Sequence, residues 1–311
     1  MNDVVLIDWG TSALRAIIVT EAGESGARFA SDAGIMNVPE GNFAAQLTVT
    51  LDALEVADNP PPILMSGMIG STLGWHEVPY LTGQQSFDDF AKNLFVLEHH
   101  DLDIRIVPGI AAPSLGLPDH IDVMRGEETQ FFGSLILTQS QEKGRDVGTL
   151  ICIPGTHAKW IAQRGVAIEG FATFMTGELF AVLSRYSVVS GVLSEEQSTT
   201  HLSPAFFDGL DMALQPLGVL HHAFLLRAGT VTGGFDTSTN RDRLSGICIG
   251  SEIAAMRPYI EASGQPVTLI ASAVMRIAYE QAFTHFNIPY ITIDAEAATI
   301  AGQLTLHNNR S

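Results

Sequence analysis

The stretch Val4–Val19, VVLIDWGTSALRAIIV, places a single acid, Asp8, at the end of an apolar run and just before the turn Gly10-Thr11-Ser12. A hairpin needs the turn but not the acid. Backbone N–H groups in a tight Gly-Thr-Ser turn can converge on one spot and form a nest for phosphate oxygens. The Thr11 and Ser12 hydroxyls add donors. A carboxylate repels phosphate, yet Asp8 can hold Mg²⁺, which in turn bridges phosphates. Acid plus donor turn is thus the chemistry of a metal–nucleotide site. The competing account is a plain hairpin with a surface acid, and for one such stretch taken alone that account is the commoner.

A second turn of the same kind opens the second half of the chain. Gly155-Thr156-His157-Ala158 aligns with Gly10-Thr11-Ser12-Ala13, each inside a strand–turn–strand pattern. Two donor turns can clamp one polyphosphate. Lys159 follows directly and is one of only three lysines, with Lys92 and Lys143. It either pairs with phosphate or an acidic substrate group, or snorkels from a strand. RGEETQ puts Glu127 and Glu128 in the first turn of a helix, where the dipole favours acids. Either can serve as the general base that takes the proton of an attacking hydroxyl or water, with Asp122 as a third candidate. SGMIGS (Ser66, Gly67, Met68), followed by Trp75, is a small-residue loop that a ligand can approach closely. Thr176-Gly177-Glu178 is a loop-to-helix donor site. Ala271-Ser272 either line an adenine pocket or simply pack. Arg15, Arg125 and Lys159 are the cations nearest these motifs.

The elements that must position these residues read as α/β. Strands are expected at Val4–Ile7, Leu14–Val19 and Arg28–Ala33, and a helix at 40–58. ILMS and DIRIV are further strands, and the GEETQFFGSLIL stretch is a helix. The polar run QSQEKGRD, residues 139–146, marks a domain boundary. The second half restarts with strands around GTLICI, AKWIAQ and VAIEGFATF. Helices dominate 177–228, and a helix entry is expected at Gly250-Ser251-Glu252. Two strand–helix units follow, the last capped at Asp294.

Composition bounds the partners. The chain has 311 residues and a net charge of −18. Such a charge repels nucleic acid and anionic membranes, so neither is an expected partner, while an anionic small molecule can still meet a locally positive site. Self-association as a homo-oligomer is left open. Two cysteines, Cys152 and Cys248, suit a reducing cytoplasm rather than a disulfide framework. The start, MNDVVLIDWG, does not read as a signal peptide.

With these residues in hand, the chain resembles the sugar-kinase/Hsp70/actin superfamily, whose first phosphate turn reads Asp-x-Gly-Thr/Ser. Within it, IDWGTSALRA, SGMIGS, DVMRGEETQ, PGTHAKW and FMTGELF, in that order, resemble the 2-dehydro-3-deoxygalactonokinase family nearly end to end. The resemblance implies two ribonuclease-H-like domains, 1–143 and 144–311, with a nucleotide cleft between them. It also implies transfer of the ATP γ-phosphoryl group to the 6-hydroxyl of 2-dehydro-3-deoxy-D-galactonate. Asp8 would then organise Mg²⁺. Gly10, Thr11, Ser12, Gly155, Thr156 and His157 would cradle phosphates, and Ala271 and Ser272 would lie by the adenosine. Ser66, Gly67, Met68, Trp75, Arg125, Lys159, Thr176, Gly177 and Glu178 would meet the substrate, and Glu127 or Glu128 would be the base. The rivals are a kinase of another sugar or sugar acid, an exopolyphosphatase-type hydrolase, and a non-enzymatic nucleotide switch.

Overall fold

The computed structural model describes residues 3–20, 23–83, 85–138, 148–194 and 202–310. Along the chain run β1 (Val4–Trp9), β2 (Leu14–Val19), β3 (Ser25–Ser31), α1 (Phe43–Ala53), β4 (Ile63–Ser66), β5 (Leu81–Thr82), α2 (Phe87–Lys92), β6 (Phe95–Leu97), β7 (Ile104–Ile106), β8 (Ile110–Ser114), β9 (Leu117–Met124) and α3 (Glu127–Thr138). Then come β10 (Thr149–Ile153), β11 (Ala158–Arg164), β12 (Ala167–Phe174), α4 (Thr176–Tyr186), α5 (Pro204–Ala213), α6 (Gly218–Val231), α7 (Asn240–Ser263), β13 (Val267–Ala271), α8 (Ala273–His285), β14 (Tyr290–Asp294) and α9 (Ala295–Asn308). Packing divides them into two compact units. One holds Met1–Asp146, Gln163–Phe171 and Ala295–Ser311, the other Val147–Ala162 and Ala172–Asp294. The segment 139–146, expected as a boundary, lies outside the described residues.

In the first unit the sheet order is β3-β2-β1-β4-β7-β6. Strands β1, β2 and β3 form an antiparallel meander, and β1, β4 and β7 are parallel. Parallel pairing buries both faces of β1 and β4, which is why VVLI and ILM are continuous apolar runs. Val5, Ile7 and Trp9 on β1 join Phe43, Leu47 and Leu51 of α1 in one buried cluster. The second unit opens in the same way. β10 and β11 are neighbours across a tight turn, α4–α7 follow, and β13 then runs parallel to β10 and to β14. Its helices pack through Leu226, Leu244 and Ile247.

Helix α9 ends the chain yet packs in the first unit, across α3. The crossing is close because both contact points lack a side chain. A Cβ on Gly133 would sit 1.7 Å from the Ala298 carbonyl oxygen, and one on Gly302 would sit 2.0 Å from that of Thr129. From that position Gln303 reaches the sheet. Its buried Nε2 donates to the Ile7 carbonyl at 2.9 Å and to Ser66 Oγ at 2.8 Å.

Three expectations move. The third strand starts at Ser25 rather than Arg28 and stops at Ser31. The first helix is shorter than 40–58, because Asn42 caps it by accepting from the Ala45 N–H and a 3₁₀ turn occupies 39–41. Gly250-Ser251-Glu252 is not a helix entry but the middle of α7, which begins at Asn240. The glycines of that stretch serve helix packing instead. A Cβ on Gly246 would lie 2.1 Å from the Phe206 carbonyl of α5. We expect Gly302→Ala to destabilise the fold by about 1–3 kcal/mol or more, since α9 and α3 must separate to admit the methyl group. Urea denaturation checks this, and an unchanged midpoint would refute the close crossing.

Candidate active site

The first unit assembles its candidates at the carboxyl ends of parallel strands, the usual ligand side of such sheets. Asp8, second to last in β1, lies opposite Arg15 on β2 and Ser66 on β4. Its Oδ2 is 3.7 Å from Arg15 Nη1, with Asp8 about 30% and Arg15 59% exposed, so this ion pair is a weak, solvated one. The turn is closed by Gly10 N–H donating to the Ala13 carbonyl at 2.9 Å. The loop at 35–36 secures it, its Ile35 and Met36 N–H groups donating to the Gly10 and Thr11 carbonyls. Thr11 and Ser12 are exposed, and their N–H groups have no acceptor among the described residues. That leaves donors presented outward.

Two glycines at positive φ bring three loops together. Gly67 (φ +89°) lies so close to β1 that a Cβ would stand 2.9 Å from the Trp9 carbonyl and 3.4 Å from Asp8 Oδ1. Gly126 (φ +110°) in turn packs on Gly67, its Cβ position 3.3 Å from the Gly67 Cα. Helix α3 starts at the next residue, which brings Glu127 into the electrostatic neighbourhood of Asp8. Burial raises the Asp8 pKa above the ordinary carboxylate value, Arg15 opposes this, and Glu127 adds to it.

The two glutamates differ. Glu127 is half-buried, and its Oε2 accepts from the Arg125 N–H at 3.2 Å. Glu128 is fully buried, and both its oxygens accept from the Gly126 N–H, at 2.8 and 2.6 Å. Burial, then the neighbouring Glu127 charge, pushes the Glu128 pKa up to about 8. Asp122 is remote in type: it lies on β9 opposite Ala112, and its Oδ1 accepts from the Val123 N–H at 2.8 Å. Arg125 is buried. Its Nη2 donates to the Val78 carbonyl at 2.7 Å, and its guanidinium lies over the Tyr80 ring at 4.4 Å. It ties the start of α3 to the loop that follows Ser66–Ser71. Ser66 is buried on Gln303. Met68 and Trp75 pack against the core cluster, with Trp75 edge-on to His99.

The second unit holds the other candidates. Gly155, Thr156 and His157 link β10 to β11, with Thr156 and His157 exposed. Their N–H groups have no acceptor among the described residues. The start of α4 docks on this turn. Glu178 N–H donates to the Thr156 carbonyl at 3.0 Å, and a Cβ on Gly177 would meet the Gly155 carbonyl at 2.6 Å. The side chains add a third link, His157 Nε2 to Glu178 Oε2 at 2.5 Å. Lys159 is buried on β11, its Nζ donating to the His157 carbonyl at 3.3 Å. Thr176 Oγ1 donates to the buried Glu252. Ala271 ends β13 in the core, and Ser272 precedes α8 on the surface.

Sequence reading overlooked Gln303 and Glu252. The available signal was polarity out of place, one amide in AATIAGQLTL and one acid in GICIGSEIAAM.

Two units, each opening on two neighbouring strands joined by a Gly-Thr donor turn, have the form of the sugar-kinase class of the actin-like ATPase fold. The chain has this fold in common with the activator of 2-hydroxyisocaproyl-CoA dehydratase from Clostridium difficile, solved with bound ADPNP. The TM-score is 0.51 and the identity 10%, over 99% of this chain and 95% of that one. Within that class the chain belongs to the 2-keto-3-deoxy-galactonokinase family, whose model matches residues 8–306. It is 32% identical to the 2-dehydro-3-deoxygalactonokinase of Escherichia coli strain K12, across 96% of this chain and 95% of that protein. A crystal structure from Sinorhizobium meliloti assigned to the same kinase superposes with a TM-score of 0.86 at 32% identity, covering 98% of this chain and 96% of that one.

The buried acid makes stability pH-dependent. The folded chain holds the Glu128 proton more tightly than the unfolded chain, whose carboxyl has the ordinary value of 4.5. Its contribution to stability is therefore full below about 4.5 and lost as the pH rises through about 8. We expect Glu128→Gln to flatten the decline of urea-melt stability across that interval and to match or exceed the parent on its alkaline side. An unchanged slope would place the titration elsewhere.

Proposed function

We propose that this protein transfers the γ-phosphoryl group of ATP to the 6-hydroxyl of 2-dehydro-3-deoxy-D-galactonate, giving the 6-phosphate and ADP. Family membership supplies the substrate class. The observation that carries the chemistry is the pair of donor turns in which the Thr11, Ser12, Thr156 and His157 N–H groups find no acceptor among the described residues. Phosphoryl transfer asks the protein for positioning and charge neutralisation rather than covalent help. Outward-facing backbone donors provide that without a large basic patch.

The roles follow from placement. Gly10, Thr11 and Ser12, and likewise Gly155, Thr156 and His157, take phosphate oxygens. Asp8 would hold Mg²⁺. A single carboxylate suits an ion that keeps several waters and binds substrate phosphates. Burial, and to a lesser degree the Glu127 charge, raises the Asp8 pKa, and a cation held there would offset both. When bound, Mg²⁺ supplies neutralisation of phosphate charge. Among the described residues no group of three or more His, Cys, Asp or Glu forms a closed metal cage, which suits an ion held mainly by substrate and water.

Glu127 is the base we assign. It is half-buried and its charge acts on Asp8, whereas Glu128 is buried with both oxygens on the Gly126 N–H. The Glu127 carboxylate takes the hydroxyl proton as the acceptor oxygen bonds to the γ-phosphorus and the bond to the ADP oxygen breaks. Gly67, Met68, Thr176, Gly177 and Glu178 would meet the sugar acid, with Ser66, Trp75, Arg125 and Lys159 holding the loops that carry them. Ala271 and Ser272 would border the adenosine. In this reading the first unit, which also takes in Gln163–Phe171 and Ala295–Ser311 rather than ending at 143, carries the acceptor site and first phosphate turn, and the second unit the second turn and the adenosine site. Buried free thiols at Cys152 and Cys248 suit action in the cytoplasm.

The direct test is coupled ADP release with Mg-ATP and a panel of acceptors: 2-dehydro-3-deoxygalactonate, its gluconate epimer, several hexoses, and none. Turnover is expected only with the keto-deoxy acids. ADP release without an acceptor would favour a hydrolase. Glu127→Gln is expected to lower kcat by about 10²–10⁴-fold with the KM for ATP nearly kept, while Glu128→Gln stays within about tenfold of the parent. The reverse pattern would move the base to Glu128. Gly10→Ala fits the folded chain, since its Cβ would find nothing nearer than the Ala13 carbonyl at 3.5 Å. It should raise the KM for ATP without lowering thermal stability, and an unaltered KM would remove this turn from the nucleotide site.

A further inference from the structure

Glu252 sits near the middle of α7 and is buried. Three donors from three other elements converge on its carboxylate. Trp160 Nε1 on β11 donates to Oε1 at 2.7 Å, and Tyr279 OH on α8 donates to Oε2 at 2.9 Å. The hydroxyl of Thr176, the first residue of α4, donates to the same Oε2. No step of phosphoryl transfer uses this acid, and an apolar residue of similar size would usually serve stability as well or better. Its cost needs another return.

That return lies in what the three partners hold. Trp160 is three residues beyond His157, on the strand that leaves the donor turn. Thr176 begins the helix whose next two residues rest on that turn, through the Glu178 N–H on the Thr156 carbonyl and the side-chain-free contact of Gly177 with Gly155. A carboxylate that accepts from both Trp160 and Thr176 fixes the spacing between β11 and the first turn of α4. We propose that Glu252 is a positioning residue for nucleotide binding, holding the Gly155–His157 turn and the α4 N-terminus in one donor arrangement. The inference rests on the assignment of this turn to nucleotide phosphate.

Steady-state kinetics with ATP and the keto-deoxy acid varied separately test it, on purified variants checked for folding by circular dichroism. Glu252→Leu leaves three buried donors without an acceptor and releases the spacing. It should raise the KM for ATP about tenfold and leave the acceptor KM within about twofold. Glu252→Gln should stay within about threefold of the parent, because the Thr176 and Tyr279 hydroxyls can turn from donating to accepting. A purely structural role would lower the active fraction, and with it kcat, at constant KM for both substrates. That result overturns the proposal. If Glu252→Leu does not fold, Tyr279→Phe decides. It removes one donor far from the turn and should raise the KM for ATP about threefold, and a parental value overturns the proposal. Gly155→Ala separates the two readings. Its Cβ would lie 3.8 Å or more from its nearest neighbours, so the fold accepts it while the turn is altered. A parental KM for ATP in Gly155→Ala refutes the phosphate assignment itself. A raised KM there with a parental KM in Glu252→Leu refutes only the positioning role.

Discussion

The first unit depends on a crossing of two backbones. Gly133 on α3 and Gly302 on α9 let the helices approach until carbonyl oxygens occupy the space side chains would take. The close crossing holds α9 against α3, whose first residue, Glu127, acts electrostatically on Asp8 at the carboxyl end of β1. It also brings Gln303 close enough to bond the Ile7 carbonyl, one residue before Asp8, and Ser66, one residue before Gly67. A single amide thus holds the two strand ends whose next residues are the proposed site residues Asp8 and Gly67. Gln303 and Ile7 are 296 positions apart, so this contact closes a very long loop, and loop-closure arguments make such contacts slow to form.

Charge adds a second constraint. With 34 Asp and Glu against 16 Lys and Arg, the protein cannot bind a polyphosphate through a general basic surface. The cations nearest the motifs are engaged in other ways. Arg15 pairs loosely with Asp8, Arg125 lies over Tyr80 and bonds Val78, and Lys159 bonds the carbonyl of His157. Backbone N–H groups are the donors left facing outward, and they carry no counter-ion and need no long side chain to be ordered. This accounts for rigid, glycine-bearing turns in place of lysine-bearing ones. It also explains why each turn is braced from behind by hydrogen bonds to its carbonyls, the loop at 35–36 in one unit and the α4 start in the other.

What could be read from the sequence was local. Both donor turns, the strands beside them and the α3 start are set by residues within a few positions of one another, and the apolar runs and turn residues announce them. The choice between Glu127 and Glu128 was not local. Adjacent residues of the same type differ only in which side of the helix meets the core, and it is Glu128 that is buried and Glu127 that stays half-buried. Gly250-Ser251-Glu252 misled for a related reason. Small residues signal either a chain break or a close helix contact, and only the presence of α5 across the interface selects the second. Ser66 and Arg125 look like ligand contacts by type, yet both are turned inward to hold loops together.

Gln303 and Glu252 show why such residues escape a motif search. Neither lies in a turn, and neither needs to face a ligand. Each is a polar group among apolar neighbours whose partners come from distant parts of the chain, so its meaning exists only after folding. A buried polar side chain left unpaired is costly, and the same directionality makes a fully paired one more exacting about geometry than any apolar contact. Hydrophobic packing tolerates shifts of a few tenths of an ångström with little change in energy. Two or three hydrogen bonds meeting on one side chain do not. A phosphate turn works only if its N–H groups converge on one point, so the residue behind it gains from being the kind that permits a single arrangement. On this argument the polar residues to seek in a sugar kinase of this class are those in the middle of apolar helices that cross behind the glycine turns.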